Sequence, residues 1–490
     1  MTLLKNKTFL ISIALWCIIT IVRILNHIPW FDEAHAWTIA EELNLVQIFH
    51  LMKVEGHTFI WYLLLMPFAK FHIGYPYVMQ FLNWIFCLGA LIVLWQKAPF
   101  NNFIKVLITF SFPFTYVYSV YARCYSIGIL LLFLLAALFE NRLKHPILYS
   151  LVLIVCANTS TMALIGSAAF GFLFIYDFLK SMPKRKSLLA VSAILFIGAG
   201  LIFLQLFGVD STAIKDYRGI NLPYQNLLKI FVISSFILIT CILPLVFFLR
   251  KHLKILFFFL FTTVFMSVCF MFKYYGHYWN HAFYWLYFMI TIWLGLLACE
   301  NEKIKKFMSV LLAAVSFLHI FIPLFVNDVC LKLTQNGDAV KMAKIVLYDK
   351  NMYKKAIISA NDNFVGHVLV PYNRHRLVNY CEDKPFNYDI VNYPANNNLC
   401  YEKELPNRFF NEYYTYLDKN RLIKLVNKNI GNDDEIYSIV SINPKAFENS
   451  DTTFIKDDKT EIFYSIQRYK CLKNKKQEDF CIYKIKKENN

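Results

Sequence analysis

The chain has 490 residues and a formal net charge of +17, and it is 58% hydrophobic and 18% aromatic. Soluble domains are usually about 45–50% apolar, so a wholly soluble protein is excluded. The basic charge does not point to nucleic acid, because residues 1–326 hold 24 Lys/Arg against 11 Asp/Glu and sixteen of those cations lie in alternate short loops between apolar runs. That arrangement is the positive-inside pattern of a multi-pass membrane protein.

In chain order, apolarity predicts eleven spans of roughly 20 residues: 8–28, 76–95, 104–121, 125–141, 146–160, 162–179, 187–208, 228–249, 254–273, 281–299 and 306–326. The first follows Lys5 and Lys7 but lacks a small-residue cleavage site, so it reads as a retained anchor. An odd count puts the N-terminus in the cytoplasm and the tail outside. Every basic cluster then falls on the cytoplasmic side: Lys5/Lys7, Lys97/Lys105, Arg142/Lys144, Lys180–Lys186, Arg250–Lys254 and Lys303–Lys306. Residues 58–69 are apolar but too short to span, and counting them as a span would put the basic clusters outside; 33–53 and 58–71 therefore read as two amphipathic helices at the outer surface, where their Trp and Tyr suit the headgroup region.

The tail, 327–490, is rich in Asn, Lys, Asp and Tyr and reads as a soluble extracytoplasmic α/β domain. Helices are expected over 336–350 and 406–429. Strands are expected over 356–360, 377–380, 435–442, 460–469 and 479–486. The fold class is thus a polytopic α-helical membrane protein over 1–326 with a C-terminal α/β domain. Of the five tail cysteines, Cys471 and Cys481 flank a polar turn between two strands and are the favoured pair in an oxidising compartment, ahead of Cys381 with Cys400. No Cys/His spacing suits a metal, and no cofactor is implied.

Chemistry-bearing residues gather in the outer loops. Pro29-Trp30-Phe31-Asp32-Glu33-Ala34-His35-Ala36-Trp37 follows the first span. Asp32 can cap a helix beginning at Glu33, with both acids favouring its positive end; compatibly with that, it can serve as a catalytic base at the membrane surface, since a capping geometry also fixes the carboxylate. Glu55-Gly56-His57-Thr58 opens the second surface helix, where Glu55 and His57 either start that helix or line a pocket. Tyr121-Ala122-Arg123-Cys124-Tyr125 sets one arginine where two spans meet; it either snorkels or binds phosphate. In the stretch 273–285, Lys273, His277 and His281 are candidate phosphate contacts or ordinary interfacial residues.

Together, the Asp-Glu of the first outer loop, the Glu-Gly-His segment and the Tyr-Ala-Arg-x-Tyr turn resemble the GT-C superfamily of membrane glycosyltransferases, which includes protein O-mannosyltransferases and the lipid A aminoarabinose transferase. The resemblance covers about residues 8–300. It implies a polyprenyl-phosphate-sugar donor, inverting transfer to a lipid, glycan or protein acceptor, and a first-loop Asp, here Asp32 beside Glu33, as catalytic carboxylate. Two positions depart from the family pattern: Thr58-Phe59 follows Gly-His where many relatives have Pro-Pro or Pro-Leu, and Asn280-His281 stands where bacterial relatives often have Arg-His. The rival readings are a transporter or lipid flippase, which would want ionisable groups inside spans and often internal repeats, and an envelope scaffold anchored by its membrane part.

Overall fold

The computed structural model describes residues 3–29, 31–55, 57–206, 246–247, 249–272, 278–325, 349, 357–359, 377–379, 384–385, 419–430, 435–438, 452–456, 463–472 and 480–488. The described residues are mostly helical, with one sheet. Among the described residues, seven helices are long and apolar enough to cross a membrane. The helices are α1 (Lys7–Leu25), α2 (Phe31–Glu42), α3 (Leu45–Glu55), α4 (Ile60–Lys70), α5 (Tyr77–Lys97), α6 (Asn102–Thr109), α7 (Tyr125–Leu138), α8 (Pro146–Ala157), α9 (Thr161–Lys180), α10 (Arg185–Leu206), α11 (Leu253–Phe272), α12 (Tyr278–Ala298) and α13 (Glu302–Phe325). The long, apolar seven are α1, α5 and α9 to α13.

The chain forms two compact units. One holds Met1–His27, Asn44–Leu65 and Tyr77–Leu331; the other holds Ile28–Leu43, Met66–Pro76 and Lys332–Asn490. In the first, α5 packs on α7, α8 on α7, α9 and α10, α9 on α11, α11 on α12, and α6 on α1 and α13. Polar side chains set the helix starts. Asn6, Asn101 and Ser160 each accept a backbone N–H from the first turn of α1, α6 and α9, which satisfies donors the helix cannot.

Three expected spans take another form. Residues 104–121 are not one helix: α6 ends at Thr109, and a π-helical turn occupies Pro113–Val117. Proline has no N–H to give the carbonyl four residues back, and here the Thr115 hydroxyl serves that Thr109 carbonyl instead, at 3.2 Å. The Tyr118 N–H closes the π turn onto Pro113 O at 2.8 Å. Spans 125–141 and 146–160 form as α7, prolonged by a 3-10 turn at Phe139–Asn141, and as α8; both are shorter than a full span. Expected span 228–249 falls outside the described residues, apart from 246–247 and 249.

The expected helix 33–53 is two helices. Asn44 and Gln47 cap each other reciprocally: Asn44 Oδ1 accepts from Gln47 N at 3.0 Å, and Gln47 Oε1 accepts from Asn44 N at 2.9 Å. This capping-box geometry starts α3 afresh. α3 and α4 each bury one face, through Ile48, Leu51 and Met52 and through Trp61, Tyr62, Leu65 and Ala69. α2 does not fit an amphipathic surface helix: Glu33, Ala34 and every residue from Ala36 to Glu41 are buried.

The second unit carries a sheet of order β3-β2-β1-β4-β7-β6-β5, built from β1 (Ile357–Ser359), β2 (Leu377–Asn379), β3 (Lys384–Pro385), β4 (Glu435–Ser438), β5 (Thr452–Lys456), β6 (Phe463–Leu472) and β7 (Phe480–Glu488). β1 runs parallel to β2 and β4; the other pairings are antiparallel. All five expected strands form. β3 and β5, which the sequence reading missed, are the two edges, where the apolar alternation that marks a strand is weakest. Cys471 and Cys481 are register partners across β6 and β7. The expected helix 406–429 is described over Lys419–Asn429, and 336–350, apart from Asp349, lies outside the described residues, as do Cys330, Cys381 and Cys400.

Helix packing in the first unit includes a close approach at Gly166 of α9. A Cβ there would stand 2.5 Å from Tyr287 Cε1 and 2.8 Å from Leu132 Cδ2. The Gly166 N–H donates to Tyr287 Oη at 3.0 Å, and that hydroxyl donates to the Met162 carbonyl. Small residues admit such approaches between helices. Gly166→Ala is therefore expected to destabilise the protein by roughly 1–3 kcal/mol through overpacking, read as a lower thermal midpoint of the detergent-solubilised protein.

Candidate functional site

The site in the first unit begins with the break between α6 and α7. Irregular backbone in an apolar interior needs polar partners from elsewhere. The Tyr118 carbonyl accepts from Asn83 Nδ2 at 2.8 Å and from Ser126 Oγ at 2.6 Å. The Phe114 carbonyl accepts from Trp16 Nε1 at 3.2 Å. These bonds hold the turn 118–124, in which Arg123 N–H reaches Tyr121 O at 2.9 Å.

A second anchor fixes the segment after α3. Gln205, buried near the end of α10, accepts from Phe59 N at 3.0 Å and donates to Asn158 Oδ1 at 3.0 Å. Residues 57–59 are thereby tied to α10 and to the α8–α9 turn. With both segments held, Arg123 Nη2 lies 2.9 Å from His57 Nε2, across 66 residues of sequence. The His57 ring meets the buried Tyr125 ring edge to face at 5.7 Å and 84°. Tyr125 Oη accepts from Asn280 Nδ2 of α12 at 3.1 Å.

Glu55 closes the group on another side, taking a hydrogen bond from Tyr62 Oη at 3.2 Å. Tyr62 lies on α4, which at 11 residues is too short to cross a membrane. Burial first, and then the Glu55 carboxylate, push its phenol well above the ordinary value; the nearby Arg123 pulls the other way. Tyr62 is thus a fixed neutral donor at physiological pH. Aromatic groups frame the turn: Tyr121 stacks on Trp279 at 6.0 Å and meets His27 at 5.1 Å, while Tyr118 Oη donates to Trp279 O at 2.7 Å.

Of the residues expected from sequence, Glu55, His57, Arg123 and Tyr125 come together. His281 is one position beyond the participating Asn280 on α12, and its ring packs on Phe270 and Tyr284 at 4.3 and 6.4 Å. Lys273 and His277 lie outside the described residues. Sequence reasoning missed Tyr62, Asn83, Gln205 and Asn280. Asn83 and Gln205 carried a signal: each is an amide inside an otherwise apolar span, where a polar side chain is costly without a partner.

Asp32 and Glu33 belong to the second unit. α2 begins at Phe31, so Asp32 is inside the first turn rather than capping a helix that starts at Glu33; its charge still favours the positive end of the dipole. Asp32 is half-buried and Glu33 is fully buried. The far end of α2 is pinned by His72 Nδ1, 2.6 Å from the buried Glu41 carboxylate, and by Trp37 against Tyr75 at 5.1 Å. Among the described residues, no three His, Cys, Asp or Glu side chains are grouped to hold a metal ion. No protein-family model, curated protein or solved structure matches the chain.

The Tyr62–Glu55 bond has a measurable consequence. A hydrogen bond to a charged acceptor is worth about 1.5–3 kcal/mol, so Tyr62→Phe is expected to lower stability by about that amount in detergent at pH 7. The raised phenol value fixes the pH course of the wild type. The stability linked to this proton is whole below pH 10.0, the ordinary value, and is lost as pH rises above it. The gap between wild type and variant should therefore narrow in alkaline denaturation.

Proposed function

We propose that this protein is a membrane glycosyltransferase that moves a sugar from a polyprenyl-phosphate donor to an acceptor at the outer face of the membrane. The observation that supports it best is the meeting of His57 with Arg123 and Tyr125. Two of the three motifs behind the GT-C resemblance, remote in sequence, form one cationic, aromatic-lined group. A guanidinium with neighbouring hydrogen-bonding side chains suits a phosphate ester.

In this reading Asp32 takes the proton of the acceptor hydroxyl or amine. The acceptor attacks C1 of the sugar with inversion, the bond from C1 to the phosphate oxygen breaks, and the lipid phosphate leaves with the electron pair. Arg123 stabilises the charge that grows on the leaving phosphate. Glu33 is enclosed, so the acid that a substrate can reach in the first-loop motif is Asp32. Alternation of the basic loops supports a cytoplasmic N-terminus and outer loops on the substrate side.

The test is sugar transfer by the purified full chain in proteoliposomes, with polyprenyl-phosphate sugars extracted from the envelope as donors. Asp32→Asn is expected to lower transfer by roughly 100-fold or more, with an unchanged melting profile. Arg123→Gln should lower it comparably. Wild-type transfer by Asp32→Asn overturns the role given to that carboxylate, and absence of any lipid-linked sugar consumption by the wild type overturns the enzyme reading.

A further inference from the structure

We propose that Arg123 and His57 form a proton-coupled clamp for the phosphate of a lipid-borne phosphate ester: His57 is neutral while it bonds to Arg123, and takes up a proton from solvent when a phosphate oxygen replaces it there. The proposal rests on the glycosyltransferase reading only for the choice of a lipid phosphate as ligand; the proton chemistry follows from the side chains.

A guanidinium has five N–H donors, no acceptor, and stays protonated in proteins. The 2.9 Å contact between Arg123 Nη2 and His57 Nε2 therefore needs a lone pair on Nε2. An imidazolium has none, since both its nitrogens carry protons. His57 is accordingly the neutral tautomer with its proton on Nδ1. A positive neighbour favours that state, because like charges disfavour the protonated ring.

Among the described residues, the polar or titratable groups gathered here include Glu55 at the end of α3, Tyr62 on α4, Cys124 beside Arg123, and Tyr125 at the start of α7. Glu55 accepts from the neutral Tyr62 phenol, and Tyr125 accepts from Asn280. His57 is the group among them whose ordinary titration lies near neutral pH.

An arriving phosphate oxygen is a stronger partner for the guanidinium than a neutral imidazole, and it can accept from two of its N–H groups. Once Nε2 loses its donor and faces a phosphate carrying one or two negative charges, the protonated ring is favoured. Nε2–H then donates to a phosphate oxygen, and a clamp with one fixed charge becomes one with two. The one bond formed is Nε2–H, made by the Nε2 lone pair with a proton taken from solvent; no other covalent bond changes. By linkage, phosphate affinity falls as pH rises through the titration of His57 in the complex.

The test uses the full chain in detergent micelles with farnesyl phosphate, followed by titration calorimetry at pH 7.5 in two buffers of different ionisation enthalpy. The wild type is expected to take up roughly half a proton or more per bound ligand beyond what His57→Gln takes up. Arg123→Gln should bind at least about tenfold more weakly. Because His57→Gln could fold poorly, nitrogen-15 spectra of histidine-labelled wild type give an independent reading: one neutral Nδ1–H imidazole should become an imidazolium on addition of ligand. Equal proton uptake by wild type and His57→Gln, or a histidine spectrum that ligand leaves unchanged, overturns the clamp. Inorganic phosphate binding as tightly as farnesyl phosphate overturns the lipid assignment. Sugar transfer by the same preparations judges the enzyme reading separately, since transfer without proton uptake sinks the clamp alone, and proton uptake without transfer sinks the enzyme reading alone.

Discussion

A peptide group in an apolar interior must have a hydrogen-bond partner, and the candidate site depends on how that demand is met between α6 and α7. A straight helix would have satisfied every carbonyl from within. Pro113 prevents it, and the side chains of Asn83, Ser126, Thr115 and Trp16 supply donors from four directions. Each of these partners is itself fixed in a helix or turn. The irregular segment is consequently tied at several points, and Arg123 projects from a turn anchored by side chains of other elements. On the proposed reading, a cation placed this way suits a phosphate, because electrostatic stabilisation acts best when the charge does not have to reorganise.

The same economy recurs around His57. Gln205 interrupts an apolar helix, yet its amide is fully employed, with Phe59 N–H on one side and Asn158 on the other. Its effect is to tie the segment after α3 to the helices beneath. Asn280 does the equivalent for Tyr125. Buried amides here serve as brackets: they carry no charge, they cost little once paired, and they convert neighbouring loops into fixed mounts for Glu55, His57 and Arg123. A part-buried ion-pair cluster plays a related structural part elsewhere in the same unit, where the buried Asp177 of α9 binds Arg142 and, at 2.5 Å, the half-exposed Lys254 of α11.

Much of this was legible in the chain. Long apolar runs predicted α1, α5 and α9 to α13 because length and hydropathy alone decide whether a helix can cross a membrane. Alternation predicted the five inner or paired strands of the sheet. The errors have local physical causes. Residues 104–121 are mostly apolar, so hydropathy could not see that the helix would break before Pro113, although the proline was in view. Residues 33–53 read as one helix because the Asn44–Gln47 box is only four residues long and lies between two apolar stretches. The edges β3 and β5 escaped because an edge strand need not alternate.

At the site, residue type and motif singled out Glu55, His57, Arg123 and Tyr125 without indicating that they touch. Residues 57 and 123 have no periodicity linking them; only the packing of α3, α10, α8 and α7 brings their segments to one place. The neutral state of His57 was likewise invisible, since it follows from a 2.9 Å contact with a group that can only donate. The sequence by itself determined where apolar helices form, which turns carry charge, and which residue types stand in them, because those depend on local composition and spacing. Tertiary structure alone decided which turns share a site and which protons their side chains hold, because both depend on distances between groups that the chain order leaves free.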